Sequence, residues 1–197
     1  MPTRRHALCA LASLPWAVHR HATAAGVRVE GQWFDAVARV AGSELQLNGT
    51  GVRAVAWFKA FAAGLYLPQP ARSTAQAVGQ AGPKRLQLRM LRELPAAEFS
   101  KAIQKGVTRN VTAAELSALQ DRLHTFEATV TAMGKVRLGD VIDLDQVPGQ
   151  GMGMRLNGTL RGGAIVGDEF FAAVLLSFLG EQPYDNKLKA GLLGVAA

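Results

Sequence analysis

The sequence predicts one α+β domain in which a large antiparallel sheet is backed by helices. Strand patterns fill most of the first two thirds of the chain and two helical patterns end it, so segregated helices are favoured over alternating βα units. The chain has 197 residues, of which 49% are hydrophobic and 19% charged. This length fits a single domain, and this composition is typical of a globular protein.

Two Asn-Gly dipeptides predict β-hairpins, because these residues accept the positive φ angles of a tight two-residue turn. The first, Asn48-Gly49, is expected to separate strands over residues 44–47 and 52–57. The second, Asn157-Gly158, is expected to join the strands on either side of it.

Three other segments have strand patterns. The apolar run Val55–Leu67 is expected to lie inside the sheet, as a central strand or a bent strand pair. Lys84–Leu91 alternates apolar and polar residues, which predicts a strand with one face in water. Val141–Val147 is predicted as a strand whose Asp143 and Asp145 lie on a solvated edge rather than in a cation site.

Four helices are predicted from apolar spacing and from capping residues. Apolar residues four apart predict an amphipathic helix over residues 96–109, and Thr112 with Glu115 forms a capping box that begins the next helix. Asp168 and Asp185 are expected to cap the last two helices. These helices would cover one face of the sheet.

The first 24 residues have the pattern of a cleavable export signal. Arg4 and Arg5 precede a short apolar stretch, and Ala22-Thr23-Ala24 has the small-x-small pattern of a signal peptidase site. We expect cleavage after Ala24 by the Sec or the twin-arginine route, with residues 25–197 forming one domain in the periplasm. A disordered basic tail is the alternative.

Composition excludes several functions for the chain after this leader. The sequence has one cysteine, Cys9, and it lies in the leader. The chain after the leader therefore has no thiol for a disulfide, a nucleophile or a soft metal site. The formal charge of +7 becomes +4 without the three leader arginines, which is too mild to predict nucleic-acid binding. His124 is the only histidine after residue 24, and we expect neither a metal nor another cofactor. No later stretch approaches the roughly 20 apolar residues of a membrane span.

One cation enters the most apolar strand region. Arg53 shares a face with Phe61 by alternation if the strand runs unbroken. An arginine among apolar neighbours must meet an anion, and its forked donors suit a carboxylate. An internal salt bridge, or a position at an edge where the guanidinium reaches solvent, would satisfy the same requirement.

Several motifs, in order between Glu44 and Gly194, resemble the chalcone isomerase-like family and its bacterial exported branch. The resemblance implies an open-faced sandwich, in which a large antiparallel sheet is backed by helices with a cleft between the two layers. The family includes flavanone-forming isomerases, fatty-acid-binding relatives and non-catalytic helpers. The motifs that carry the resemblance are Leu47–Arg53, Trp57–Pro68, Met90–Leu94, Glu98–Lys101, Leu138–Asp140, Leu156–Gly158 and Gly167–Pro183.

The resemblance also implies where a site would lie. The isomerase-type site combines an arginine with a threonine, a tyrosine and an asparagine that hold the substrate and an ordered water. Arg53 matches the arginine, whereas Phe61, Phe99 and Gly106 stand where the other three residues would be. Phenyl rings neither donate hydrogen bonds nor stabilise an oxyanion, so we expect flavanone chemistry to be absent.

The resulting hypothesis is a periplasmic, non-catalytic protein that binds a small hydrophobic carboxylate or fatty-acid-like amphiphile. Arg53 would hold the acidic head, Phe61, Phe99 and Ile103 would floor the cleft, and Gly106 would leave room for the tail. One alternative is an isomerase or lyase that uses Arg53 with a different donor, such as Tyr66, Lys59 or Thr108. The other is a partner-binding scaffold with a filled cleft, and the sequence does not name the partner.

Overall fold

The computed structural model describes residues 26–55 and 57–195. The expected leader and its cleavage position after Ala24 lie outside the described residues, so export stays a prediction. Within the described ranges, no helix combines the length and the apolar character needed to cross a membrane.

The described chain begins with five strands and ends with two helices, and strands and helices are mixed between them. The strands are β1 (Val27–Val29), β2 (Gln32–Phe34), β3 (Val37–Val40), β4 (Ser43–Val55), β5 (Phe58–Leu67), β6 (Lys84–Met90), β7 (Leu94–Pro95), β8 (Lys135–Val136), β9 (Val141–Val147), β10 (Gly151–Leu156) and β11 (Thr159–Ile165). The helices are α1 (Thr74–Gly79), α2 (Ala96–Asn110), α3 (Ala113–Thr131), α4 (Asp168–Leu179) and α5 (Asn186–Leu192).

Seven strands form one antiparallel sheet in the order β11-β10-β9-β6-β5-β4-β3. Two short ribbons, β1 with β2 and β7 with β8, lie beside it. The apolar run predicted as an internal strand forms β5, between β4 and β6. The structure therefore confirms the predicted α+β fold with a large antiparallel sheet.

One continuous hydrophobic core lies between the sheet and the helices. Alternate side chains of a strand point to the same face, so the inner face of the sheet is apolar along several strands. Leu65, Leu88 and Leu144 of the sheet are fully buried in the same cluster as Ile103 of α2 and Phe178 of α4. Burial of this size stabilises the two-layer arrangement, because each fully buried aliphatic side chain contributes about 1.5–3 kcal/mol.

The two Asn-Gly dipeptides have different structures. Asn157 and Gly158 have φ angles of 52° and 78°, and they form the predicted hairpin turn between β10 and β11. The hairpin predicted at Asn48-Gly49 is wrong, because β4 continues through this dipeptide with only a shift in register. Asn48 instead binds the end of α5 and the loop before α1, donating to the carbonyl of Leu192 and accepting from the amide of Ala71, both at 2.7 Å.

Two of the three predicted helix caps are confirmed. Thr112 and Glu115 form the capping box of α3, and Asp185 caps α5. The α2 helix begins at Ala96 as predicted and extends one residue beyond the predicted end. Asp168 is not a cap, because α4 already includes it and Gly167 occupies the capping position without a side-chain bond.

The polar face of β6 is not in water, and the solvated edge predicted for Asp143 and Asp145 is also wrong. Strands β6 and β9 are neighbours in the middle of the sheet, and both aspartates are buried. Arg85 binds Asp145 with two bonds of 2.5 and 2.7 Å, and Gln87 donates to Asp143 at 2.8 Å. Arg85 and Gln87 thus meet cross-strand partners on β9, and Arg89 donates to Gln87 of its own strand at 3.1 Å, so this face is buried with its polar groups paired.

Candidate functional site

Arg53 lies near the end of β4, opposite Phe61 of β5. Its Nη1 atom lies 3.5 Å from Oδ2 of Asp185 and donates to the carbonyl oxygens of Ala54 and Tyr184, each at 3.0 Å. The internal salt bridge, one of the two simpler interpretations of Arg53, is therefore present. An acid of the chain itself thus faces the guanidinium at the place proposed for a ligand carboxylate.

The carboxylate of Asp185 has two tasks. Its Oδ1 caps α5 by accepting from the amides of Lys187 and Leu188, at 2.8 and 3.2 Å, while Oδ2 faces Arg53. A separation of 3.5 Å is longer than a charged hydrogen bond, and the Arg53 and Asp185 side chains remain 26% and 18% exposed. The two charges therefore face each other without a direct bond, and the cap on α5 holds the carboxylate beside Arg53.

Tyr184 extends this site toward the core. The Arg53 guanidinium lies 5.8 Å from the centre of the Tyr184 ring, which packs edge-on against Phe178 at 5.1 Å. Among the described residues the buried Tyr184 Oη makes no hydrogen bond of good geometry, but the Ser177 side chain lies close enough to oppose part of the rise in the Tyr184 pKa as a hydrogen-bond partner. Burial raises the pKa of Tyr184 above its ordinary value of 10.0, so the phenol stays protonated and can donate a bond.

Ser100 is a second unpaired polar group in the same helix layer. Its Oγ is buried and lacks a partner within residues 26–55 and 57–195. Ser100 lies on the inner face of α2, three residues before Ile103, and both residues are buried. An unpaired buried hydroxyl costs about 1–3 kcal/mol, so Ser100 is a position where an additional hydrogen bond would stabilise the protein.

The apolar site residues all belong to, or pack against, the main core. Phe61 is buried with its ring centre 6.5 Å from that of Phe178, and Ile103 is fully buried. Phe99 is half-buried, with its ring 6.2 Å from that of Phe126. The structure thus brings the three predicted floor residues into one hydrophobic layer.

Gly106 does not leave room, which corrects the sequence expectation. A Cβ atom at this position would lie 2.5 Å from Cβ of Ser177 and 3.3 Å from the Tyr184 ring. The glycine instead allows α4 to approach α2 closely. The space beside it is filled by the protein itself.

The predicted cleft is closed. Among the described residues, none of the five main grooves is lined by Arg53, Phe61, Phe99, Ile103 or Gly106. A groove of about 660 Å³ lies elsewhere, between α1, the junction of α2 with α3, and the end of α4. Any ligand that enters the space between the layers must therefore separate side chains that now touch.

The donors considered for an enzyme are engaged away from Arg53. Tyr66 belongs to a separate buried cluster with Val40 and Leu45, as alternation predicts, and burial raises its pKa to about 12. Lys59 pairs with Glu30 at 2.8 Å. Thr108 is exposed and donates to the carbonyl of its own helix four residues earlier. In the described residues, no group of three or more His, Cys, Asp or Glu side chains could hold a metal ion.

The sequence analysis did not identify Tyr184, the contact of Asp185 with Arg53, or the unpaired hydroxyl of Ser100 in α2. Tyr184 gives no local signal, and its contact with Arg53 joins residues 131 positions apart. The role of Asp185 as a cap is visible in the sequence, but its second contact is not. Ser100 could have been found, because it shares the helical spacing of Ile103 and Val107 on the buried face of α2.

Comparison with known proteins agrees with this architecture. The profile of the chalcone isomerase-like family matches residues 26–194. The fold is similar to the crystal structure of a fatty-acid binding protein of Arabidopsis thaliana, with a TM-score of 0.65 and 17% identity over 86% of this chain and 96% of that one. No match was found among curated proteins. The family profile covers nearly all of the described residues, and the chain therefore belongs to the chalcone isomerase-like family.

Proposed function

We propose that this protein is a non-catalytic, periplasmic binder of a small hydrophobic carboxylate or fatty-acid-like amphiphile. The observation that carries the proposal is the position of the Arg53 guanidinium beside the buried Tyr184 ring at the end of an apolar core. The guanidinium supplies the charge and the forked donors that suit a carboxylate, and the ring gives it an apolar neighbour. The fatty-acid binding protein that shares the fold supports the same ligand class.

In this proposal the ligand carboxylate takes the place of Asp185 beside Arg53. Its tail enters between the sheet and α2, in the layer formed by Phe61 and Ile103. Burial of roughly ten methylene groups gains about 8 kcal/mol. The hydrophobic gain is large enough to separate side chains that are in contact without ligand.

The site is better suited to binding than to chemistry. Phe61 and Phe99 cannot orient water, and the raised pKa of Tyr184 keeps its hydroxyl protonated, so it is not a general base at neutral pH. The proposal therefore assigns Arg53 and Tyr184 to holding a ligand.

A partner-binding scaffold is the second candidate, and a specific observation favours it. Arg53 already has the acid of its own chain as a neighbour, and Ser177 fills the space beside Gly106. A scaffold would use the outer helix surfaces and would take no ligand into the core.

Titration with dodecanoate separates the two candidates. Wild-type protein is expected to bind it, and Arg53→Ala to weaken binding by about tenfold or more, because bonds between charged groups contribute about 1.5–3 kcal/mol. Arg53→Lys should keep part of the affinity, since it retains the charge but loses the fork. Arg161→Ala is the matched control, because Arg161 is an exposed arginine of β11.

Native mass spectrometry of protein from its own periplasm provides a direct check. The proposal predicts a retained amphiphile and a first residue at Ala25. If no lipid copurifies and Arg53→Ala leaves dodecanoate binding unchanged, the ligand proposal is wrong and the scaffold is favoured.

A further inference from the structure

A group of apolar and cationic side chains is exposed at one end of the sheet, where β4 and β6 end and β5 and β9 begin. Trp57 is 91% exposed and Leu138 is 67% exposed. Both line one groove of about 460 Å³ with Phe58, Leu91 and Arg92. We call these five residues the tip surface.

The tip surface is built on backbone hydrogen bonds. The Leu91 amide donates to the carbonyl of Ala60, and the Gly139 amide to that of Met90, at 3.0 and 2.9 Å. The Arg92 guanidinium lies 4.3 Å from the centre of the Phe58 ring, and Trp57 packs edge-on against Phe58 at 6.5 Å. The arrangement fixes Phe58 and Arg92 beside Trp57.

Most of the charges around the tip surface face an opposite charge. Lys59 pairs with Glu30 and Lys135 with Glu93, each at 2.8 Å. The exposed Arg137 lies near Asp140 and Glu93, and its charge helps to lower the pKa of both acids. Arg92 is exposed and has no salt-bridge partner in the part of the chain that the structure describes, so its guanidinium, on the Phe58 ring, is the cation of the tip surface that is left for an anion.

We propose that the tip surface docks on an anionic phospholipid bilayer. An indole at the level of lipid headgroups buries its apolar ring and keeps its N–H in a polar layer, and nearby arginines bind lipid phosphates. The exposed apolar area consists mainly of two side chains, far less than the roughly 800 Å² that each partner buries in a standard protein interface. A bilayer accepts such a small insertion because its charge adds to the binding.

This inference does not depend on ligand binding in the core. Arg53 is not part of the tip surface, so Arg53→Ala should leave membrane binding intact even if it abolishes dodecanoate binding. Likewise, a variant of the tip surface should lose membrane binding and keep dodecanoate binding.

Cosedimentation with phosphatidylcholine vesicles that contain about one-third phosphatidylglycerol tests the proposal. The full chain is expected to sediment with these vesicles, less so at high salt and less with phosphatidylcholine alone. Trp57→Ala and Leu138→Ala should each lower the partition coefficient by about threefold to tenfold, because each removes buried apolar area. Arg92→Gln should reduce the salt dependence.

Val166→Ala is the matched control. Val166 is 67% exposed, like Leu138, but follows β11 at the opposite end of the sheet. Its replacement should leave partitioning unchanged. The proposal is overturned if wild-type protein does not bind the vesicles, or if Trp57→Ala binds them as well as wild type does, which would assign the binding to another part of the chain.

Discussion

At the residue scale, Gly49 determines how the last helix meets the sheet. A Cβ atom on Gly49 would lie 2.2 Å from the carbonyl oxygen of Gly191 and 2.7 Å from that of Leu192. These are backbone atoms, which cannot rotate away as the end of a side chain could. The absence of a side chain therefore lets α5 pack its backbone directly on β4.

Gly49→Ala is expected to lower the free energy of unfolding by about 1–3 kcal/mol, the usual range for overpacking a tight site. Urea denaturation measures this change. Gly163→Ala is the control, because nothing lies within 4 Å of its Cβ position. Equal stability of the two variants would show that the close packing of α5 on β4 is not present in solution.

The two Asn-Gly dipeptides differ in their contacts, which explains why the hairpin prediction fails at Asn48-Gly49 and holds at Asn157-Gly158. The side chain of Asn157 also binds residues distant in sequence, the Val141 amide and Asp140, but these lie at the start of the adjacent β9 and are compatible with the turn. At the first dipeptide, Asn48 bonds to Ala71 and to the end of α5, which follow it by 23 and 144 residues, while β4 continues. Contacts at such a separation leave no local signal.

At the element scale, the pairing of β6 with β9 makes a buried polar layer. Burial raises the pKa of Asp143 above its ordinary value of 3.8, against the opposing effects of the Gln87 bond and the Arg85 charge. The folded protein therefore holds a proton on Asp143 at pH values where the unfolded chain has lost it. The contribution of this group to stability falls as pH rises through the window above 3.8.

Asp143→Asn should remove this dependence, because the amide does not ionise and its oxygen can still accept from Gln87. The stability of wild-type protein relative to this variant is expected to decline between acidic and neutral pH. Urea denaturation across that range measures it, with the exposed Asp121→Asn as control. A difference that stays constant with pH would contradict the assignment.

Helices and strands with clear capping residues or apolar spacing could be predicted from the sequence. Which of their faces would be buried could not. The capping box at Thr112 and the apolar spacing of α2 depend on neighbours within one or two turns, and both predictions are confirmed. The wet face predicted for β6 is wrong, because the aspartates that neutralise Arg85 come from a strand about 60 residues away. Alternation gives the face of a residue but not what covers that face.

At the scale of the whole molecule, the C-terminal helices cover the sheet, and this packing pairs Arg53 with an acid and closes the predicted cleft. The sequence predicts Arg53 and its apolar neighbours, and the structure places Phe61, Phe99 and Ile103 in one layer. It cannot predict that the chain returns after 130 residues to place Asp185 beside Arg53. The local pattern thus identified the cation, while its neutralisation and the closed cleft depend on the complete fold.

The most direct measurement is the dodecanoate affinity of Asp185→Asn compared with that of wild type. Asparagine keeps the cap of α5 and removes the anion that competes for Arg53, so we expect binding to become about fivefold tighter, while dodecanol binding stays unchanged. Glu181→Gln, which removes an exposed acid four residues earlier, should have little effect. Dodecanoate affinity that stays the same or falls in Asp185→Asn would contradict the claim that a ligand carboxylate replaces Asp185 at Arg53.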